Sequence, residues 1–191
     1  MINSLYEPFR HWSEKGTIWI ISDTHFNEDD DLRRAYPNRP TTYELVKRIN
    51  AKVGKADTLL LLGDVGDPDC ASILRGYKVL VMGNHDRGAQ NYRGIFNEIY
   101  EGALTISEKI ILSHEPLNID WAFNFFGHCH DLSNYISGGL NVCADVIDYT
   151  PINFNQFLKS GRLKEIVPLH RRTIDRATER KQHRELIRSS T

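Results

Sequence analysis

The sequence predicts an α/β fold of two packed, mixed β-sheets flanked by helices. Three short apolar segments in the first half of the chain have the length and composition of buried strands: 17–21, 57–62 and 77–82. Four further strand candidates follow with no helix between them: 104–106, 109–112, 123–126 and 140–146. The first group predicts parallel strands joined by right-handed crossovers, and the second predicts a mixed sheet packed on the first.

A helix is predicted between the first two strands, over residues 42–53. Four apolar side chains recur on one face of it: Leu45, Val46, Ile49 and Val53. Thr41, followed three residues later by Glu44, is typical of a capping box at a helix N-terminus. This helix supplies the crossover of the predicted βαβ unit.

Composition limits the class of protein. The chain has 191 residues, 40% of them hydrophobic, which is enough for one domain with a sizeable core. The formal net charge of -1 means that the overall charge of the protein attracts neither nucleic acid nor an anionic membrane. The three cysteines predict no disulfide framework, and no segment reads as a signal peptide or membrane span. We therefore expect a cytoplasmic protein with no membrane partner.

The last part of the chain differs in charge from the rest. Residues 1–168 are predicted to form the main domain, and residues 169–191 a basic C-terminal helix or tail. Seven basic and three acidic residues give this segment a net charge of +4, and five arginines recur at every fourth position: Arg172, Arg176, Arg180, Arg184 and Arg188. A solvated terminal helix or tail is the expected structure, and contact with phosphates or with a partner is the alternative.

Polar side chains with metal-binding capacity follow five of the predicted strands. They lie in five segments: Ser22-Asp23-Thr24-His25, Gly63-Asp64-Val65-Gly66-Asp67, Gly83-Asn84-His85-Asp86, Ser113-His114-Glu115-Pro116 and Gly127-His128-Cys129-His130. Because the carboxyl ends of strands in open α/β sheets meet at one crevice, these groups are expected to converge. Four histidines, two aspartates and an asparagine can form two adjacent metal sites if one carboxylate bridges. A set without thiolates indicates a catalytic rather than a structural centre.

In their order, the five segments resemble the signature blocks of calcineurin-like metallophosphoesterases over residues 18–148. Further similarity to small bacterial and phage-type phosphoesterases lies in three elements: Phe26 after the first block, Arg39-Pro40, and Asn141-Val142 followed by Tyr149-Thr150-Pro151. The resemblance assigns the main domain to this superfamily and implies its four-layer sandwich. It also implies hydrolysis of a phosphodiester or phosphomonoester by a hydroxide that bridges two metal ions.

The resemblance implies a role for each polar residue at the strand ends. The first metal would be held by Asp23, His25 and His130, and the second by Asn84, His114 and His128, with Asp64 bridging the two. The cofactors would be two divalent ions, with manganese expected first and iron, zinc, cobalt or nickel as alternatives. Cys129, between two of these candidates, is not expected to be a ligand.

His85 would be the general acid that protonates the leaving group. Such a histidine needs an orienting carboxylate, and the candidates are Asp67 and Asp86. Arg87 and Arg39 are candidates for contacting the substrate phosphate, because Pro68 stands where related phosphoprotein phosphatases have an arginine; a surface arginine is the alternative for each. Asp145 and Asp148 could support the ligands, although solvated turn carboxylates are the stronger expectation.

Short intervals between the blocks leave no room for a cap domain, so the site is expected to be an open groove. An open groove favours a phosphodiester or nucleotide-like substrate, with monoesters close behind. One alternative is a nuclease whose cationic tail binds nucleic acid. Another is a non-catalytic binding module on the same fold, which the presence of His85 and of every ligand block disfavours. The sequence does not indicate an oligomeric state.

Overall fold

The computed structural model describes residues 6–14, 16–131, 133, 135–136 and 138–189. One five-stranded sheet contains four parallel strands: β1 (Ile18–Ile21), β2 (Thr58–Leu61), β3 (Tyr77–Val81) and β4 (Glu98–Tyr100). A late strand, β10 (Ile152–Asn153), pairs antiparallel with β1, giving the order β10-β1-β2-β3-β4. The three parallel strands predicted in the first half are thus confirmed, and β4 and β10 extend their sheet.

The second sheet is also five-stranded and is mixed. Its strands are β5 (Leu104–Ser107), β6 (Ile110–Leu112), β7 (Phe123–Phe126), β8 (Tyr135–Ile136) and β9 (Gly139–Asn141). Their order is β5-β6-β7-β9-β8, with β6, β7 and β9 parallel and the two outer pairings antiparallel. The predicted α/β fold with two mixed sheets is therefore confirmed. The last predicted strand was too long, because the chain leaves the sheet after Asn141 and turns.

Helices cover these sheets at α1 (Asp29–Ala35), α2 (Thr42–Lys52), α3 (Pro68–Ser72), α4 (Phe154–Lys159) and α5 (Leu169–Ser189). Short 3-10 helices lie at Glu7–Ser13, Ala89–Tyr92 and Arg162–Lys164. The capping box at the start of α2 is present: the Thr41 hydroxyl accepts from the Glu44 backbone N–H, and the Glu44 carboxylate accepts from the Thr41 N–H. Buried Leu45 and Ile49 pack α2 against the core that both sheets share.

The two sheets meet where β1 ends. The backbone N–H of Ser22 donates to the carbonyl of Val142, and the Ser22 carbonyl accepts from Ala144, each at 2.9 Å. The Ser22 hydroxyl also donates to the carbonyl of Leu62 at 2.6 Å. Since these contacts join the segments that follow β1, β2 and β9, the carboxyl ends of strands from both sheets lie around one crevice.

The basic segment forms a helix, so helix rather than tail is the structure of residues 169–189. Helix α5 is mostly exposed, and its first turns are attached to the rest of the protein through Arg172. The Arg172 guanidinium donates to the carboxylate of Asp120 at 2.6 Å and to the carbonyl of Val167 at 3.0 Å. No helix of the described residues combines the length and the apolar character that a membrane crossing requires.

Candidate metal centre

The first ligand group consists of Asp23, His25 and His130, one ligand atom of each lying within 4.8 Å of the others. Asp23 and His25 are buried, and His130 is half-buried. Nε2 of His130 lies 3.6 Å from the Asp23 carboxylate. Nε2 of His25 is buried and has no hydrogen-bond partner in the described part of the chain. A buried imidazole nitrogen without a partner is costly unless a ligand or ion satisfies it.

The second ligand group consists of Asp64, His114, His128 and Asn84. Nε2 of His114 lies 2.8 Å from the side-chain oxygen of Asn84 and 3.2 Å from Nδ1 of His128. The same Asn84 oxygen lies 3.0 Å from Nδ1 of His128. The structure thus brings together every residue that the sequence analysis predicted for the second metal, with His128 facing the group through Nδ1.

Asp64 lies between the two groups. Its Oδ2 atom is 3.7 Å from Nε2 of His25, in the first group, and 3.2 Å from Nε2 of His114, in the second. Its Oδ1 atom is occupied by the backbone N–H of His85, which donates at 2.9 Å. One carboxylate oxygen therefore faces both groups, which is the arrangement that a bridging ligand requires.

Four of the candidate ligands have left-handed backbone conformations. The φ angles are +57° at Asp23, +41° at His25, +50° at Asp64 and +65° at His128. Aspartate and histidine enter this region more readily than most side chains, and such conformations are concentrated at functional sites. The residue types at these positions thus satisfy the backbone as well as the chemistry.

The glycines of the blocks serve two different purposes. Gly63 has a φ of +89°, as expected for a sharp bend after a strand. Gly127 is needed for close packing instead, since a Cβ atom there would lie 2.1 Å from the Ser22 hydroxyl and 2.2 Å from the Asp23 carboxylate. Gly83 is similar, because its Cβ would lie 2.3 Å from Oδ1 of Asp64. A sharp bend therefore accounts for Gly63, whereas Gly83 and Gly127 permit close approach of neighbouring atoms.

Acceptors beside Nδ1 orient three of the histidines: Asp145 at 2.7 Å from His130, Glu28 at 3.3 Å from His25, and the Leu62 carbonyl at 2.8 Å from His114. When Nδ1 donates to such a partner, the Nε2 lone pair is directed into the group and is available to a metal. Sequence reasoning missed Glu28, and its position three residues after His25 was the available signal.

Burial and charge act in opposite directions on these side chains. Burial lowers the pKa of His25, and attraction by Asp64 and Asp23 offsets part of that effect. Burial also opposes the charged form of His114, but the hydrogen bond to Asp64 and the nearby carboxylates raise its pKa to about 9. Burial raises the pKa of Asp64. Contacts with His114 and with the His85 N–H lower this pKa by more than burial raises it, so the net shift is downward.

Asp86 does not orient the His85 ring. Its carboxylate accepts from the backbone N–H groups of Asp64, Val65 and Gly83 at 2.8 to 3.0 Å, and from the Tyr92 hydroxyl at 2.8 Å. The contacts with Asp64 and Val65 hold the segment after β2 to the segment after β3, and those with Gly83 and Tyr92 lie within the latter segment. The predicted role of Asp86 at His85 is therefore corrected to a structural one.

Asp67 does not contact the His85 ring either. It caps helix α3 by accepting from the Asp69 N–H at 2.8 Å, and it accepts from the Asn27 side chain at 2.6 Å. Hydrogen bonds from these two groups lower the pKa of its carboxyl group. In the described residues, no carboxylate is hydrogen-bonded to the His85 ring, so neither orienting candidate is supported.

Arg39 and Asp145 also depart from expectation. Arg39 is buried in an ion pair with Asp145 and cannot reach the crevice, so the structure contradicts its candidacy for contacting substrate phosphate. Asp145 was expected to be a solvated turn carboxylate, but its side chain is fully buried. The same expectation is right for Asp148, whose side chain is 95% exposed.

A family model for calcineurin-like phosphoesterases matches residues 16–189. The chain belongs to the calcineurin-like phosphoesterase family. Membership supports a metal-dependent phosphate-ester hydrolase, and the ligand groups described above are consistent with the divalent metals that the family binds.

Two solved structures match this chain. A protein of unknown function from Aquifex aeolicus is similar in fold, with a TM-score of 0.64 and 24% identity over 75% of this chain and 98% of that one. The Pseudomonas putida nuclease MPE matches with a TM-score of 0.44 and 22% identity, over 59% of this chain and 61% of that one. No curated protein matches the chain. The Aquifex aeolicus structure supports the fold assignment.

A cavity of about 620 Å³ lies beside the first ligand group. His85 and Arg87 line it together with polar side chains of the segments after β1 and β2, among them Asn27 and Asp67. The exposed His85 ring lies 5.6 Å from the ring of His25, measured between centroids. His85 therefore lies both on the wall of this cavity and beside the first ligand group.

Proposed function

We propose that the chain hydrolyses phosphate esters with two divalent metal ions, held by the two ligand groups and bridged by Asp64, and that phosphodiesters are preferred. The observation that carries the proposal is the position of Asp64 Oδ2, 3.7 Å from the first group at His25 and 3.2 Å from the second at His114. Family membership supports the reaction class.

The residues fit divalent metals on chemical grounds. The buried Nε2 of His25 lacks a partner among the described residues. The Asp23, Asp64 and His130 side chains lie close to His25, while Asn84 adds an amide oxygen to the second group. Donors of this kind suit manganese, iron, zinc, cobalt or nickel, with manganese our first candidate. When bound, two such ions would activate water for attack on phosphorus and neutralise charge on the phosphate oxygens.

His85 is the proposed general acid. Its backbone is fixed by the hydrogen bond from its N–H to Asp64, while its exposed ring lies at the wall of the cavity beside His25. An imidazolium in this position can deliver a proton to the oxygen that leaves phosphorus. Arg87, on the same wall, is the proposed contact for a phosphate oxygen, because a guanidinium binds two oxygens at once.

The phosphodiester preference rests on the space beyond His85. The cavity of about 620 Å³ is on the scale of pockets that enclose a whole small-molecule ligand. A diester places a second organic group on phosphorus, and this cavity provides room for it on the leaving-group side. A small monoester would leave much of the cavity filled with water.

The test is metal-dependent turnover on a substrate panel. The chelated protein should be inactive towards bis-nitrophenyl phosphate, nitrophenyl phosphate and cyclic nucleotides, and manganese should restore activity with the diester hydrolysed fastest. Asp64→Ala should remove this activity, whereas Asp69→Ala, at an exposed carboxylate nearby, should retain it. Turnover that survives chelation would contradict the proposal, and a lack of turnover with every metal would favour a non-catalytic binding module.

Helix α5 favours a nuclease as the second candidate function. Arg176, Arg180 and Arg184 are exposed and spaced four residues apart, so they form one cationic stripe along the helix. Phosphate contacts by such a stripe would make oligonucleotide binding fall steeply between about 50 and about 200 mM salt. Truncation after Leu169 should remove that dependence. Affinity that is flat across salt, or equal in the truncated protein, would exclude this role for α5.

A further inference from the structure

We infer that the buried ion pair between Arg39 and Asp145 is a positioning device for the first ligand group. It fixes the His130 ring and the backbone that carries Asp23 and His25 in one arrangement. The inference rests on the proposed binding of metal by these groups, and it assigns Arg39 and Asp145 a role that is separate from contact with substrate.

Asp145 joins His130, Arg39 and Tyr149 through its two oxygens. Its side chain is fully buried, and its Oδ2 atom lies 2.7 Å from Nδ1 of His130. The same oxygen accepts from the guanidinium of Arg39, and Oδ1 accepts from the Tyr149 hydroxyl at 2.8 Å. Burial opposes the charge on Asp145, but the hydrogen bond to His130 and the charge of Arg39 outweigh it and lower the pKa of the carboxyl group. The contacts with Arg39 and Tyr149 therefore fix the orientation of the Asp145 carboxylate, and with it that of the His130 ring.

Arg39 extends the same network to the segment after β1. Its side chain is 1% exposed, and one of its terminal nitrogens donates to the backbone carbonyls of Asp23 at 3.0 Å and Thr24 at 2.8 Å. The other terminal nitrogen donates to Asp145. A single planar guanidinium thus joins the carboxylate behind His130 to the backbone of two consecutive residues in the first block. A lysine could not make this set of contacts.

The side chains of the second ligand group are oriented by other atoms, although the His128 backbone N–H donates to the Asp23 carboxylate of the first group at 2.9 Å. His114 is oriented by the carbonyl of Leu62, and Asn84 lies against His114 and His128. In the described residues, none of these contacts involves Arg39 or Asp145. Loss of the ion pair should therefore affect the first group selectively, whereas a general weakening of the fold would affect both.

The test is manganese titration of Asp145→Asn and Arg39→Gln by calorimetry. Removing the partner of a metal-binding histidine typically weakens metal affinity about 10- to 100-fold. We expect a loss of affinity of that size at one of the two manganese sites, with the affinity of the other site unchanged. The exposed pair Arg48 and Asp148, 3.8 Å apart, provides matched controls. Arg48→Gln and Asp148→Asn should bind manganese as the wild type does.

A double-mutant cycle identifies which of the two sites is weakened. If Asp145 acts through His130, Asp145→Asn should add no further loss in a His130→Ala protein, but should retain its effect in His114→Ala. Equal weakening of both sites, an unchanged affinity, or a full additional loss in His130→Ala would overturn the inference. If Asp145→Asn does not fold, Tyr149→Phe removes one hydrogen bond to Asp145 and should produce a smaller loss with the same selectivity.

The outcome for wild-type protein separates this inference from the proposed function. A wild type that neither binds manganese nor hydrolyses phosphate esters would contradict the proposed function itself. A wild type that binds two manganese ions and turns over, with Asp145 variants that bind identically, would contradict the positioning role alone.

Discussion

The backbone N–H of His85 donates a hydrogen bond of 2.9 Å to Oδ1 of Asp64. This contact leaves Oδ2 of Asp64 directed at both ligand groups and sets the distance between the candidate general acid and the candidate bridging carboxylate. Because it is made by the backbone, it persists when the His85 side chain is replaced. The protonation role of His85 can thus be tested without disturbing Asp64.

Replacing His85 by glutamine should lower kcat by about 10² to 10⁴-fold on an alkyl diester, because the leaving alkoxide needs a proton. The loss should be much smaller on a nitrophenyl diester, whose leaving group is stable as an anion. Manganese content should not change. His170→Gln, at an exposed histidine of α5, is the control and should behave as wild type. An equal loss on both substrates would argue against a general acid.

Gly127→Ala should disrupt the first ligand group. The added methyl carbon would lie 2.1 Å from the Ser22 hydroxyl and 2.2 Å from the Asp23 carboxylate, so one of these must move. Manganese affinity measured by titration should fall by at least about tenfold, equivalent to about 1.4 kcal/mol. Gly102→Ala is the matched control, because no heavy atom lies within 4 Å of the position that its methyl carbon would take. Wild-type affinity in both variants would show that the packing at Gly127 has no bearing on the centre.

Asp86→Asn should reduce stability more than it alters catalysis. The amide cannot accept at both positions, so at least one of the donors Asp64 N–H, Val65 N–H or Gly83 N–H loses its partner. Urea unfolding should show a loss of about 1 to 3 kcal/mol. The exposed carboxylate variant Asp69→Asn should lose little. A change in the pH–rate profile with unchanged stability would instead restore Asp86 as the orienting partner of His85.

Glu98→Gln should remove a pH-dependent contribution to stability. Burial raises the pKa of Glu98, but hydrogen bonds from Tyr100, Trp12 and His11 lower it below its ordinary value near 4.5. A carboxyl group with a depressed pKa stabilises the fold above the ordinary value, and this contribution is lost as the pH falls through the native pKa.

The free energy of unfolding of wild type should therefore exceed that of Glu98→Gln by about 1 to 2 kcal/mol at neutral pH. That difference should shrink below about pH 4.5. Glu101→Gln, at an exposed position three residues after Glu98, should show no such difference from wild type. A gap that widens towards acid pH would contradict this reasoning.

The convergence of the candidate ligands could be predicted because its signals are local. Each ligand block follows directly after an apolar strand, as Asp23 follows β1 and Asp64 follows β2, and parallel strands bring such positions to one edge. The capping box of Thr41 and Glu44 is likewise a local pattern, and it begins α2 where predicted. Short strands such as β8 and β10 contain two residues each, too few for a periodic pattern.

The partners of the polar side chains could not be predicted in the same way. Arg39 and Asp145 are 106 positions apart, and nothing near either residue indicates the other. Asp67 and Asp86 both lie close to a block, and their acceptor roles depend on which donors the folded chain places beside them. Tyr36, whose ring stacks 5.9 Å from that of His130, was missed for the same reason.

Backbone pairing of β1 and β2 continues beyond the sheet into the segments that carry the ligands. The N–H groups of Asp23 and His25 donate to the carbonyls of Gly63 and Asp64, each at 3.0 Å. Both segments therefore behave as one part for the purpose of protein design. Grafting the centre onto another scaffold would therefore require transfer of both segments together. Asp23, His25 and Asp64 would have to keep their left-handed backbone conformations. Either segment alone would lose the backbone hydrogen bonds that hold it in this conformation.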